Sequence, residues 1–132
     1  MTEKFMIRTP AKNCLIDITG QVRSAVTASG IESGIAYIFV PHTTAGVTIN
    51  ENADPDVVHD ILLGLNHAYP EQPGFCHYEG NSTAHLKASA MGASCTVLIE
   101  DGKLILGTWQ DIYFCEFDGP RQRSFLVKVI AG

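Results

Sequence analysis

The sequence predicts an α+β fold in a single domain, residues 1–132. The helical patterns lie between groups of strands instead of alternating with them one for one. The last part of the chain is strand after strand, SCTVLIE, KLILG, WQDIYFCEF and RSFLVKVIA, punctuated by Asp101-Gly102 and Asp118-Gly119-Pro120. A chain of 132 residues builds one substantial core and not two. The expected product is a largely antiparallel sheet with two to three short helices, its C-terminal strands forming a meander. No internal repeat or low-complexity segment interrupts it.

Taken in order, Lys4–Arg8 and Asn13–Ile18 read as short strands divided by Pro10, and Thr19 stands where a helix running to about Ala28 needs a cap. Gly30 and Gly34 bracket a turn. The unbroken apolar run IAYIFV, residues 35–40, predicts a strand buried on both faces. After Pro41, the segment Gly46–Glu51 alternates Val47 and Ile49 with Thr48 and Asn50, so one face of the next strand is apolar and the other polar. Asp54-Pro55 marks a helix start, because aspartate accepts from orphan amides and proline suits the first helical position. Val57, Val58, Ile61, Leu62 and Leu65 form that helix's apolar stripe, opposite Asp56, His59, Asp60 and Asn66. Residues 70–82, rich in proline and glycine, predict a loop of functional length. Ser82 or Thr83 then caps a short helix closed by Gly92.

Composition narrows the function classes. Hydrophobic residues make up 45% of the chain, which leaves apolar surface for subunit contacts. A net charge of -5 and a pI near 5.4 provide no footprint for a nucleic acid. Arg121, Arg123 and Lys128 suffice for one or two phosphates. The opening MTEKFMIRTP does not resemble a signal peptide, and no apolar run approaches membrane-spanning length. Cysteines 14, 76, 95 and 115 form no C-x-x-C pair, so reduced thiols in a cytoplasm are expected rather than a zinc ribbon or disulfide framework.

The chemistry concentrates in two windows, HTTAGVTINENAD at 42–54 and HYEGNSTAH at 77–85. They contain His42, Thr43, Thr44, Asn50, Glu51, Asn52, His77, Glu79 and His85, the groups that bind divalent ions and polar substrates. Three imidazoles, His42, His77 and His85, match the ligand number of a catalytic zinc site, with Glu51 or Glu79 as ligand or general base. Their spacing matches no helical H-E-x-x-H signature, and the competing reading is histidines that cap or hydrogen-bond. Asn52 and Asp54 also read as strand-to-helix punctuation. Trp109 is either a packing residue or an aromatic platform, and Arg121 and Arg123 are either phosphate grips or solvated loop charges.

HTTAGVTINENADPDVVHD, HYEGN…AHLKAS and GKLILGTWQDIYFCEFDGPRQR together resemble the YjbQ-like family, named for secondary thiamine-phosphate synthase activity, along essentially the whole chain. The resemblance implies a homotrimer with sheets packed around a threefold axis and sites near subunit boundaries. It implies a divalent ion, zinc foremost and magnesium where the substrate is a diphosphate, held by His42, His77 and His85. Glu51, Asn52, Asp60, Glu79, Lys87, Trp109, Gln110 and Arg123 match its motifs too. The implied reaction condenses hydroxymethylpyrimidine diphosphate with thiazole phosphate, releasing diphosphate. Two other classes compete: a metal-dependent hydrolase or lyase acting on another small phosphorylated or anionic metabolite, and a non-enzymatic trimeric binding protein.

Overall fold

Two antiparallel sheets share one core. The larger has the order β1 (Thr2–Arg8), β8 (Gln122–Ala131), β3 (Gly34–Phe39), β5 (Ser94–Glu100), β6 (Lys103–Leu104). The smaller has the order β2 (Cys14–Asp17), β7 (Gln110–Glu116), β4 (Ala45–Glu51). The helices are α1 (Thr19–Ser29), α2 (Pro55–Ala68) and α3 (Ser82–Met91), and this computed structural model describes residues 1–132. The α+β expectation holds. The meander does not: of the C-terminal strands only β5 and β6 form a hairpin, while β7 joins the smaller sheet and β8 returns between β1 and β3. Burial explains the split. Residues 112–116 of β7 are all buried, so that strand needs cover on both faces and occupies the centre of its sheet.

The inner faces of both sheets and one side of α1 form the main core, in which Val22 and Val26 of α1 pack with Ile38, Val47, Phe114 and Phe125. Thr19 does not cap α1 as expected. Its hydroxyl accepts from the Ile112 amide at 2.8 Å, tying the helix to β7, and the Asp17 carboxylate accepts the Thr19 amide at 2.9 Å. A second core lies on the outer face of the smaller sheet, where Ala84 and Ala88 of α3 cover Cys115 and Phe117. The helix sits close because position 46 is glycine. A Cβ there would stand 2.7 Å from the Gly92 carbonyl oxygen, which accepts the neighbouring Val47 amide at 3.1 Å.

Strand β3 corrects the expectation of burial on both faces. Ala36 and Ile38 enter the core, whereas Tyr37 and Phe39 lie partly exposed on the outer face of the larger sheet. Strand register sets Phe39 beside Leu126, and Ile35 between Ile130 and Leu98. The result is an apolar outer face within a single chain.

Helix α2 starts as the sequence predicts, with Asp54 accepting from the Asp56 amide at 2.9 Å and Pro55 at the first position. Its apolar stripe contains no fully buried residue. The helix is held near its end, where Leu65 packs on the second core and Asn66 accepts from Lys87 Nζ.

Candidate functional site

The candidate residues fall in three places. The first is the α2–α3 loop and the opening turn of α3. His77 and His85 lie with ring centroids 5.3 Å apart and nearly perpendicular rings, and His77 Nε2 is 4.0 Å from the Glu79 carboxylate. Phe75, Ser82 and Leu86 join the two histidines around an open cavity of about 440 Å³. Asn81 precedes α3 without a side-chain cap bond. Its amide nitrogen donates to Asp118 at 2.9 Å, leaving its oxygen as a buried acceptor without a partner.

The second place is the turn after β3. His42 reaches the β8 backbone, its Nε2 lying 3.0 Å from the Ser124 amide nitrogen and 3.1 Å from the Ser124 carbonyl oxygen. The imidazole thereby occupies a rung that β3, whose pairing with β8 ends at Leu126, has vacated. Burial lowers its pKa, and Arg123 and Arg121 push in the same direction, against the Ser124 carbonyl and Glu116. The neutral ring accepts the Ser124 amide when its proton sits on Nδ1, and donates to the carbonyl when it sits on Nε2.

Beside His42, Arg123 is committed elsewhere. Its Nε donates to Glu116 Oε1 at 2.9 Å, its Nη2 to Glu116 Oε2, and Nη2 also donates to the Thr44 hydroxyl at 2.8 Å. The two charged side chains are 4% and 0% exposed. Enclosed in this way, Arg123 is neither the phosphate grip nor the solvated loop charge that the sequence suggests. Arg121 pairs with Asp118 at 3.0 Å and remains half exposed, and Thr43 is exposed. Lys87 is buried too, its ammonium donating to Asn66 and Asn13 and lying 5.9 Å from the Phe117 ring centroid, so it braces α2 against α3. Burial first, then Lys12, lowers its pKa.

The third place is the far end of β4. Seven residues of strand run from Ala45 to Glu51, about 20 Å for that length, so His42 and Glu51 stand at opposite ends within one chain. Here the Asn52 amide nitrogen donates to Asp17 at 3.0 Å and Asp111 at 2.9 Å, and the Tyr113 hydroxyl donates to the Asn52 side-chain oxygen. Burial raises the Tyr113 pKa, helped by Asp17, Asp111 and Glu51. Asn50 folds back onto the Glu51 amide at 2.7 Å. Gln110 accepts the Gly107 amide at 2.8 Å, and Trp109 is 62% exposed, so it is no packing residue within the chain.

Within one chain, no three His, Cys, Asp or Glu side chains gather as a metal-binding group, so His42 does not join His77 and His85 there. Asp17, Asp111, Tyr113, Glu116 and Asp118 are further participants, which no motif in the sequence marks. One signal for Glu116 was present: a carboxylate inside the apolar run IYFCEF requires a buried cation.

The sequence pattern of the UPF0047 protein YjbQ-like family matches residues 3–132. A UPF0047 protein of Methanocaldococcus jannaschii is 55% identical, the alignment covering 98% of this chain and 94% of that protein. The UPF0047 protein YugU of Bacillus subtilis is 52% identical over 98% of this chain and 99% of its own. Among solved structures, an uncharacterised YjbQ/UPF0047 protein of Clostridium acetobutylicum superposes with a TM-score of 0.95 at 55% identity, covering 97% and 99% of the two chains. A Sulfolobus solfataricus protein of unknown function gives 0.94 at 35%, covering 100% and 97%. The chain belongs to the YjbQ-like UPF0047 family.

Proposed function

We propose that the protein is a divalent-metal-dependent transferase of the secondary thiamine-phosphate synthase type. The reaction forms a bond between the pyrimidine methylene carbon and the thiazole nitrogen and breaks the carbon–oxygen bond to diphosphate, which leaves with the bonding pair. The observation that carries the reading is the His77–His85 pair beside Glu79. Two imidazoles are donors suited to zinc, with Glu79 beside one of them, and the ligand set closes only with a residue from a neighbouring subunit, while magnesium, an oxygen-seeking ion, enters with the diphosphate. A bound ion supplies Lewis acidity toward the departing phosphate oxygens.

His42 is the third histidine of this reading. Its Nε2 faces the Ser124 backbone, which leaves Nδ1 for a ligand while Nε2–H donates to the carbonyl, the second bond that orients ligating histidines. Because one chain does not gather the three rings, the reading requires His42 from a neighbouring subunit. The outer face of the larger sheet supports a homotrimer: Met6, Tyr37, Phe39, Leu98 and Ile130 are large apolar side chains left exposed there. No helix is long and apolar enough to cross a membrane, and all four cysteines are free, in keeping with a cytoplasmic setting.

The test is direct. Untagged protein, stripped of metal and then supplied with zinc or magnesium, is assayed for thiamine phosphate from the two precursors. Turnover that appears with the ion and disappears with chelator supports the reading. Undiminished turnover in metal-free protein overturns the metal, and absence of product with every ion overturns the synthase and moves the assignment to another small phosphorylated metabolite.

A further inference from the structure

Two neighbouring cavities on the side of the molecule away from His42 share lining residues. One, of about 430 Å³, lies among Asn52, Leu106, Thr108, Trp109 and Asp111. The other, of about 360 Å³, lies between Thr27 of α1 and Lys103 of β6. Arg23 and Leu104 line both, so the two form one groove with an indole toward one end and cations at the other.

Three features distinguish this groove from an ordinary surface furrow. Arg23 and Lys103 are exposed and take part in none of the chain's ion pairs, which are His59–Asp60, His77–Glu79, Arg121–Asp118 and Arg123–Glu116. Trp109 is held out by its backbone and not by slack: its carbonyl accepts the Asn52 amide at 2.9 Å, and the Gln110 side chain closes the turn on Gly107. The carboxylates at the indole end, Asp111 and Asp17, both accept from the Asn52 amide nitrogen, so an anionic group is directed away from them toward Arg23 and Lys103. An exposed flat ring close to unpaired guanidinium and ammonium groups matches a ligand with a flat ring and a phosphate, since aromatic faces stack and guanidinium forks grip phosphate oxygens.

We propose that this groove binds a phosphorylated pyrimidine, its ring on Trp109 and its phosphates at Arg23 and Lys103. It deepens the synthase reading by placing the pyrimidine diphosphate on this chain, in a groove separate from this chain's own histidines, so the ion that meets the departing diphosphate comes from a neighbouring subunit. It rests on that reading for the ring being a pyrimidine and for what happens to the ligand after binding. It also supplies the phosphate contact that buried Arg123 does not.

Trp109 is the chain's single tryptophan, so its emission reports the site without a label. Metal-free protein is titrated with 4-amino-5-hydroxymethyl-2-methylpyrimidine diphosphate, uridine 5′-diphosphate, inorganic diphosphate and uridine. Saturable quenching by both pyrimidine diphosphates is expected, with uridine at least ~10-fold weaker for lack of charge-assisted contacts. The R23Q/K103Q variant should lose ~10-fold or more in affinity for the diphosphates and leave quenching by uridine unchanged. Absence of saturable quenching by either pyrimidine diphosphate, or undiminished affinity in R23Q/K103Q, overturns the groove. If binding behaves as stated but no thiamine phosphate forms, the groove stands and the synthase reading falls. If turnover continues in R23Q/K103Q with unchanged KM, the groove falls and the synthase reading stands.

Discussion

Arg123 grips both oxygens of the Glu116 carboxylate across the β7–β8 connection, and neither side chain reaches solvent to any useful extent. The pair is closed on every side. Thr9 donates its hydroxyl to Glu116 Oε1 at 2.7 Å, and the Phe117 and Asp118 amides donate to Oε2 at 3.0 Å each. A carboxylate with this many donors is an anion fixed by design of the fold, and its arginine is not free to chase a substrate.

Removing either partner should therefore act on stability before it acts on substrate affinity. Arg123→Ala leaves a buried carboxylate uncompensated and is expected to cost about 3–5 kcal/mol. Urea unfolding checks this. A variant as stable as the parent whose only defect is a raised KM would return Arg123 to the substrate.

The same pair sets an acid limit. Burial raises the Glu116 pKa, but the donors from Arg123, Thr9 and the Asp118 amide outweigh it, and the net shift is downward from 4.5. A carboxylate whose folded pKa is depressed contributes stability that is present above its unfolded value and lost as pH falls through the folded one. His42 in metal-free protein has the same sign at a higher pH, because its pKa is lowered from 6.5 and the unfolded chain takes up the proton first. Thermal melts should show stability declining below about pH 6.5 and again below about pH 4.5. His42→Gln should remove the upper step, and a flat profile from pH 7 to 5 in the parent would refute its assignment.

How much of this was readable in the sequence depended on whether the determinant was local. The Asp54-Pro55 start of α2 was legible because a cap needs only a side chain and an amide two residues on. So was the Asp101-Gly102 hairpin, where both residues take positive φ, 52° and 71°. The partners of β7 and β8 were not, since apolar alternation specifies a face to be covered and not the strand that lies alongside. Thr19 departs from the expected cap for a related reason: its hydroxyl has a distant partner, Ile112, 93 residues away. His77, Glu79 and His85 were legible as a cluster because one loop and one helical turn hold them. The distance of His42 from Glu51 was visible only once residues 45–51 were known to be a single extended strand.

The apolar outer face of the larger sheet makes oligomerisation testable at single positions. Leu98 is 60% exposed and Ile130 43%, and they flank Ile35 in adjacent strands. Charges at both should repel across a self-contact without touching the core, so Leu98→Glu with Ile130→Glu is expected to run as a 14.3 kDa monomer in light scattering. The parent should run at three times that mass. A trimer that survives both charges places its interface elsewhere.

The metal reading stands or falls on His85. It lies in the first turn of α3, partly exposed, with its ring against His77 and no hydrogen bond that anchors the fold. Its removal should spare the structure: His85→Ala is expected to melt within about 0.5 kcal/mol of the parent, as surface replacements do. Metal content should fall, and turnover should drop ~10²-fold or more, the usual scale for losing a group that stabilises developing charge. Elemental analysis alongside steady-state rates separates the possible causes. Full metal content with full activity in His85→Ala would remove this histidine from the centre. Lost metal with full activity would mean that the ion is a passenger, and the transferase chemistry would have to be sought in the groove beneath Trp109.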